Sequence, residues 1–87
     1  LNINSNHHTK VVVIRMRSVP AIDASAMRSL HELANRAKRK NITLVFSHVN
    51  EQPMRVMEKD GFIGLVGKEN FHHNIVDALD YAEALVK

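Results

Sequence analysis

Two apolar runs, KVVVIRMR at residues 10–17 and NITLVFS at residues 41–47, constrain this chain more than anything else in it, because a helical pattern joins them. The first run holds four consecutive apolar residues and then alternates, as a strand does when it is buried on both faces at one end. It is expected to be a central strand. The second is β-branched and aromatic and reads as a buried strand. Between them Met27, Leu30, Ala34 and Ala37 recur at three- and four-residue spacing, flanked by Ala26 and Leu33, which predicts an amphipathic helix over about residues 24–39.

The rest of the chain repeats the alternation. Asn50 is placed to cap a second helix, Pro53 is tolerated in its first turn, Met54 and Met57 share a face, and Gly61 closes it with Phe62 folding back. FIGLVG, residues 62–67, supplies a short strand between glycines. Ile75, Leu79, Ala82 and Val86 mark a last helix, with Val76, Ala78 and Leu85 widening its apolar face. Strand and helix in alternation imply an α/β fold with a small, largely parallel sheet joined by right-handed crossovers. Its outer edges would be open to pairing with another chain.

An 87-residue chain is one small domain. It contains no cysteine, so neither a disulfide framework nor a thiolate metal site is available. No apolar run reaches the roughly 18 residues of a membrane span, so the chain by itself reads as soluble, and its start at Leu1 marks it as a piece of something longer. The first fifty residues carry eight Lys and Arg against two acids, the remainder four against seven. Arg36, Lys38, Arg39 and Lys40 fall where the first helix ends, and cations there complement its dipole. Without interleaved aromatics for base stacking, the basic half reads as a solvated helix end and no nucleic-acid partner is expected.

The site candidates cluster in VPAIDASAM, residues 19–27, at the carboxyl end of the first strand, where open α/β sheets collect ligands. Asp23 or Ser25 can cap the helix, which needs no further function. Alternatively, a phosphate on Ser25 would meet free N–H groups and the positive dipole end, with Arg28 one turn on to pair with it and Asp23 opposing it. His48, just past the second strand, is either a neighbour of this anion site or a plain loop residue. His72 and His73 read as a solvated helix start, since adjacent helical residues diverge by about 100° and no second histidine stands four residues on. His7 and His8 lie in a polar terminus. Met27, Met54 and Met57 are gap-filling core. FIGLVG lacks the lysine and hydroxyl of a phosphate-binding loop.

VVVIRMRSVPAIDASAMRSLHEL, NITLVFSHVNEQPMRVMEKDGF and GKENFHHNIVDAL together resemble the STAS domain, and within it the cytoplasmic C-terminal domain of sulfate permease (SulP) family anion transporters. The resemblance covers residues 10–85. It implies an anti-sigma factor antagonist-like sheet covered by helices, here without the family's first strands, with residues 1–9 as a remnant or a mobile polar segment and residues 10–87 as the domain. In anti-sigma factor antagonists this turn reads Asp-Ser-Ser/Thr-Gly and its third residue accepts phosphate. Asp23 and Ser25 match the first and third positions, whereas Ala24 and Ala26 replace the second and fourth.

The function this implies is a non-catalytic regulatory and interaction domain on the cytoplasmic side of an inorganic anion transporter embedded in the inner or plasma membrane. The alternative is a free-standing anti-sigma factor antagonist regulated by phosphorylation at Ser25. A small enzyme finds no paired acid–base set to support it. The binding surface is expected around Asp23, Ala24, Ser25, Ala26, Arg28, His48 and Asn50. No metal or other cofactor is expected, and no motif supports a nucleotide. The partners implied are the transporter's membrane domain, a soluble regulatory protein, and a second copy through the open sheet edge.

Overall fold

A computed structural model describes residues 10–86, so the expectation for residues 1–9 lies outside the described residues. The elements are β1 (Lys10–Arg15), α1 (Ala24–Arg39), β2 (Ile42–Ser47), α2 (Glu51–Asp60), α3 (Phe62–Val66), a 3-10 turn (Lys68–Asn70), β3 (Phe71–His72) and α4 (Ile75–Leu85). The three strands are parallel in the order β1-β2-β3. Val12 pairs with Leu44, Ile14 with Phe46, and Phe46 in turn with Phe71.

Period-2 alternation gives the sheet two covered faces. Leu44 and Phe46 join Met16, Met27, Ala37, Met57 and Phe62 in one buried cluster beneath α1, α2 and α3. Phe46 stacks on Phe71 with ring centroids 4.9 Å apart and meets the edge of Phe62 at 5.8 Å. α4 packs on all three strands. Val45, Ala78 and Ala82 are buried outside the main cluster, and His72 of β3 lies against Tyr81 of α4 at 4.6 Å, so α4 covers the opposite face.

Three expectations need correction. Among the described residues β2 is central and β1 lies at an edge, with Val12 44% exposed; a run of valines shows that two faces can be covered, and says nothing of how many strands flank it. FIGLVG forms helix α3 and no strand. Gly61, at φ 89°, ends α2 in the left-handed conformation, and the chain restarts as a helix at once. Phe62, Ile63 and Val66 then reach the core at helical spacing, and Phe71–His72 takes the place of the third strand.

The third correction concerns the histidines and the last helix. His72 belongs to β3, and α4 begins only at Ile75, where Asn74 accepts a hydrogen bond from the Asp77 N–H at 2.8 Å. The buried face of α4 is made of Ala78 and Ala82, while Val76 and Leu79 stand 63% and 52% exposed. Small residues bring the helix close to the sheet and leave its larger apolar neighbours outside the contact.

Candidate functional site

α1 starts where Asp23 stops the extended PAI segment: its Oδ1 accepts from the Ala26 N–H at 2.8 Å. Asp23 is therefore the cap, and Ser25 is an exposed residue of the first turn that does not fill that role. Ala24 is exposed beside it, Ala26 is half-buried, and Arg28 is exposed one turn on. The first turn of α1 holds no acidic residue, leaving the dipole's positive end uncompensated apart from Asp23 itself.

Long-range hydrogen bonds fix the loop that leads there. Asn50 occupies the N-cap position of α2, yet its side chain caps nothing. Its Nδ2 instead donates to the carbonyls of Arg17 and Val19, both at 2.9 Å, and at 3.4 Å to that of Met16. The expected cap of α2 is thus a tie between α2 and the exit of β1. Gln52, in the first turn of α2, binds the backbone of Ile22 in both directions. Nothing in the sequence near Gln52 signals this, since the partners stand 30 residues apart.

An open groove of about 750 Å³ lies between α1 and α2. Ile22, Met27 and Val56 give it apolar walls, and Asp23, Arg28, Lys59 and Asp60 bring charge of both signs. His31 of α1 binds Asp60 of α2 through Nε2 and sets its ring edge-on to Phe62 at 5.4 Å, bridging the two helices. The expected neighbour His48 is not here. It faces a second cavity with His72 and His73, so the structure divides the seven candidates: Asp23, Ala24 and Arg28 line the groove, Ser25 and Ala26 lie outside its lining, Asn50 holds the loop, and His48 belongs elsewhere.

Among the described residues, no three histidine or acidic side chains converge as a metal site would require, and no helix is long and apolar enough to cross a membrane. Burial, aided by the negative charge of Glu69, holds the Tyr81 phenol above its ordinary value.

The STAS domain family matches residues 2–78. The chain is 35% identical over 68 residues to sulfate transporter 4.1, chloroplastic, of Arabidopsis thaliana, an alignment covering 78% of this chain and 10% of that protein. Curated relatives of this kind are about ten times the length of the matched segment. Among solved structures, a sulfate transporter family protein from Wolinella succinogenes superposes with a TM-score of 0.84 at 36% identity, over 87% of this chain and 62% of that one. The STAS domain of a SulP transporter from Vibrio cholerae gives 0.81 at 24% identity, over 86% and 59%, and shares the fold.

Proposed function

The chain belongs to the STAS domain family, and from that premise we propose that it is the non-catalytic regulatory and interaction domain of a sulfate permease family inorganic anion transporter, held on the cytoplasmic side of the membrane. The observation that carries this reading is the 35% identity to a sulfate transporter of which the chain corresponds to only 10%. A segment of that size, whose described helices are too short and polar to span a bilayer, leaves permeation to the rest of such a protein.

In this reading the face built from Asp23, Ser25 and Arg28, with the groove between α1 and α2, meets the transporter's membrane domain or a soluble regulator. The exposure of Ser25 in a first helical turn that holds no acid beyond the cap Asp23 supports its use as a regulated position. The free-standing antagonist has no such support, because Ala24 and Ala26 stand in the motif positions next to Ser25.

The test uses the parent reading frame and the parent protein. Multiple apolar spans upstream, together with a crosslink from a photoreactive residue at position 28 to the membrane domain in vesicles, are the expected result. A short soluble frame without spans overturns the reading.

A further inference from the structure

Three of the chain's six histidines, His48, His72 and His73, line one cavity of about 270 Å³ beyond the carboxyl ends of β2 and β3. Its position follows from the topology. After β2 the chain turns to the sheet face that carries α1, α2 and α3; after β3 it turns to the opposite face, under α4. Neighbouring strands whose following helices diverge in this way open a crevice between their ends, and open α/β sheets bind ligands in such crevices.

Three further observations bear on what the crevice holds. His72 Nε2 is shielded from solvent and has no hydrogen-bond partner, a costly state for a ring nitrogen. His48 adopts the left-handed conformation at φ 54°, and its N–H donates to the His72 carbonyl at 2.9 Å, which fastens the two histidine-bearing exits together. Strained backbone of this kind gathers at ligand sites. Finally, α2 and α4 begin within three residues of His48 and His73, so two positive helix ends flank the crevice.

We infer that this crevice binds a small tetrahedral oxyanion, held by the imidazoles of His48, His72 and His73. The volume is below the roughly 300 Å³ at which sites for larger organic ligands begin, and it suits an ion with part of its water shell. The anion supplies the acceptor that His72 Nε2 lacks, reached by rotation of the ring about its broad terminal torsion. The other charged or titratable groups on the surrounding elements are Glu51 and Arg55 of α2, paired at 3.3 Å, with Glu58, Lys59 and Asp60 further along it, Lys68 and Glu69 before β3, and Asp77, Asp80, Tyr81 and Glu83 of α4. The acids among them oppose an anion, so binding rests on the three imidazoles and the two helix starts. This site is separate from the groove between α1 and α2 and does not depend on the regulatory reading.

Sodium sulfate is the probe, and the 87-residue chain is titrated with it while the imidazole nitrogens are followed by NMR. The expected result is a saturable shift of the His72 and His48 rings at pH 6 and no comparable saturation with sodium chloride at equal ionic strength. Inorganic phosphate at pH 6 is expected to compete. His48→Asn, an exposed change that leaves the core intact, should weaken binding by about threefold or more, and His72→Gln should abolish saturation, whereas His31→Gln should not alter it. Equal shifts with chloride, no saturation by sulfate at pH 6, or unchanged affinity in His48→Asn overturns the inference.

Discussion

Gln52 and Ile22 exchange two hydrogen bonds: the Ile22 N–H donates to Gln52 Oε1 at 2.9 Å, and Gln52 Nε2 donates back to the Ile22 carbonyl at 3.2 Å. A side-chain amide here pairs with a loop peptide as a neighbouring strand would. The half-buried Ile22 thereby has its backbone polar groups answered without joining the sheet. Gln52→Ala should cost about 1–3 kcal/mol. In urea unfolding the midpoint should fall with the slope unchanged; an unchanged midpoint would show that water replaces the amide at no cost.

Asn50 offers a sharper distinction. As a helix cap, Asp would serve as well as Asn. As a donor to the carbonyls of Arg17 and Val19, it cannot be replaced by a carboxylate, which only accepts. Asn50→Asp is therefore expected to destabilise the fold at least as much as Asn50→Ala, by about 1–3 kcal/mol. Equal stability of Asn50→Asp and the native chain at pH 7 would restore the capping role.

At the start of α1 the two candidate caps separate. Asp23→Ala should lose about 1 kcal/mol, the usual worth of a satisfied N-cap. Ser25→Ala, at an exposed first-turn position, should stay within about 0.5 kcal/mol. Thermal unfolding of both variants side by side decides it, and the reverse order of effects would sink the assignment.

The Tyr81 phenol gives a pH signature. Burial first, and the charge of Glu69 second, raise it above 10.0 in the folded chain. Below that value the phenol is protonated in both states, so its contribution is fully present. As pH rises further the unfolded chain ionises first, and stability drops until the folded phenol titrates too. Urea midpoints measured at pH 9 and pH 11 should fall further in the native chain than in Tyr81→Phe; parallel losses would remove Tyr81 as the cause.

The β1 edge bears on assembly. Among the described residues no strand pairs with its outer side, and Val12 is 44% exposed there, although Lys10 and Arg15 at its ends resist unspecific pairing. The isolated chain should self-associate at high concentration. A single monomeric species in sedimentation at millimolar protein would count against pairing through this edge.

The βαβ unit was legible because its signals are local and redundant: Met27, Leu30, Ala34 and Ala37 keep one period over about three turns, and ITLVF is buried along most of its length. FIGLV was not, since five apolar residues satisfy either period and only the placement of Phe62, Ile63 and Val66 in the core selects the helix. The third strand has two residues, too few for any pattern. At the site, Asp23 and Arg28 could be read from the helix start, while Asn50, Gln52 and the meeting of His48 with His72 depend on partners more than twenty residues away.

The brevity of β3 also shapes how the molecule comes apart. Two residue pairs join it to β2, so β3 itself is held chiefly by the Phe46–Phe71 stack and by the His72–Tyr81 contact beneath α4, which lies across all three strands. Such a seam opens before the sheet does. Amide hydrogen exchange is expected to be faster in β3 and the turns around it than in β1 and β2, a gradient of local stability along one short chain.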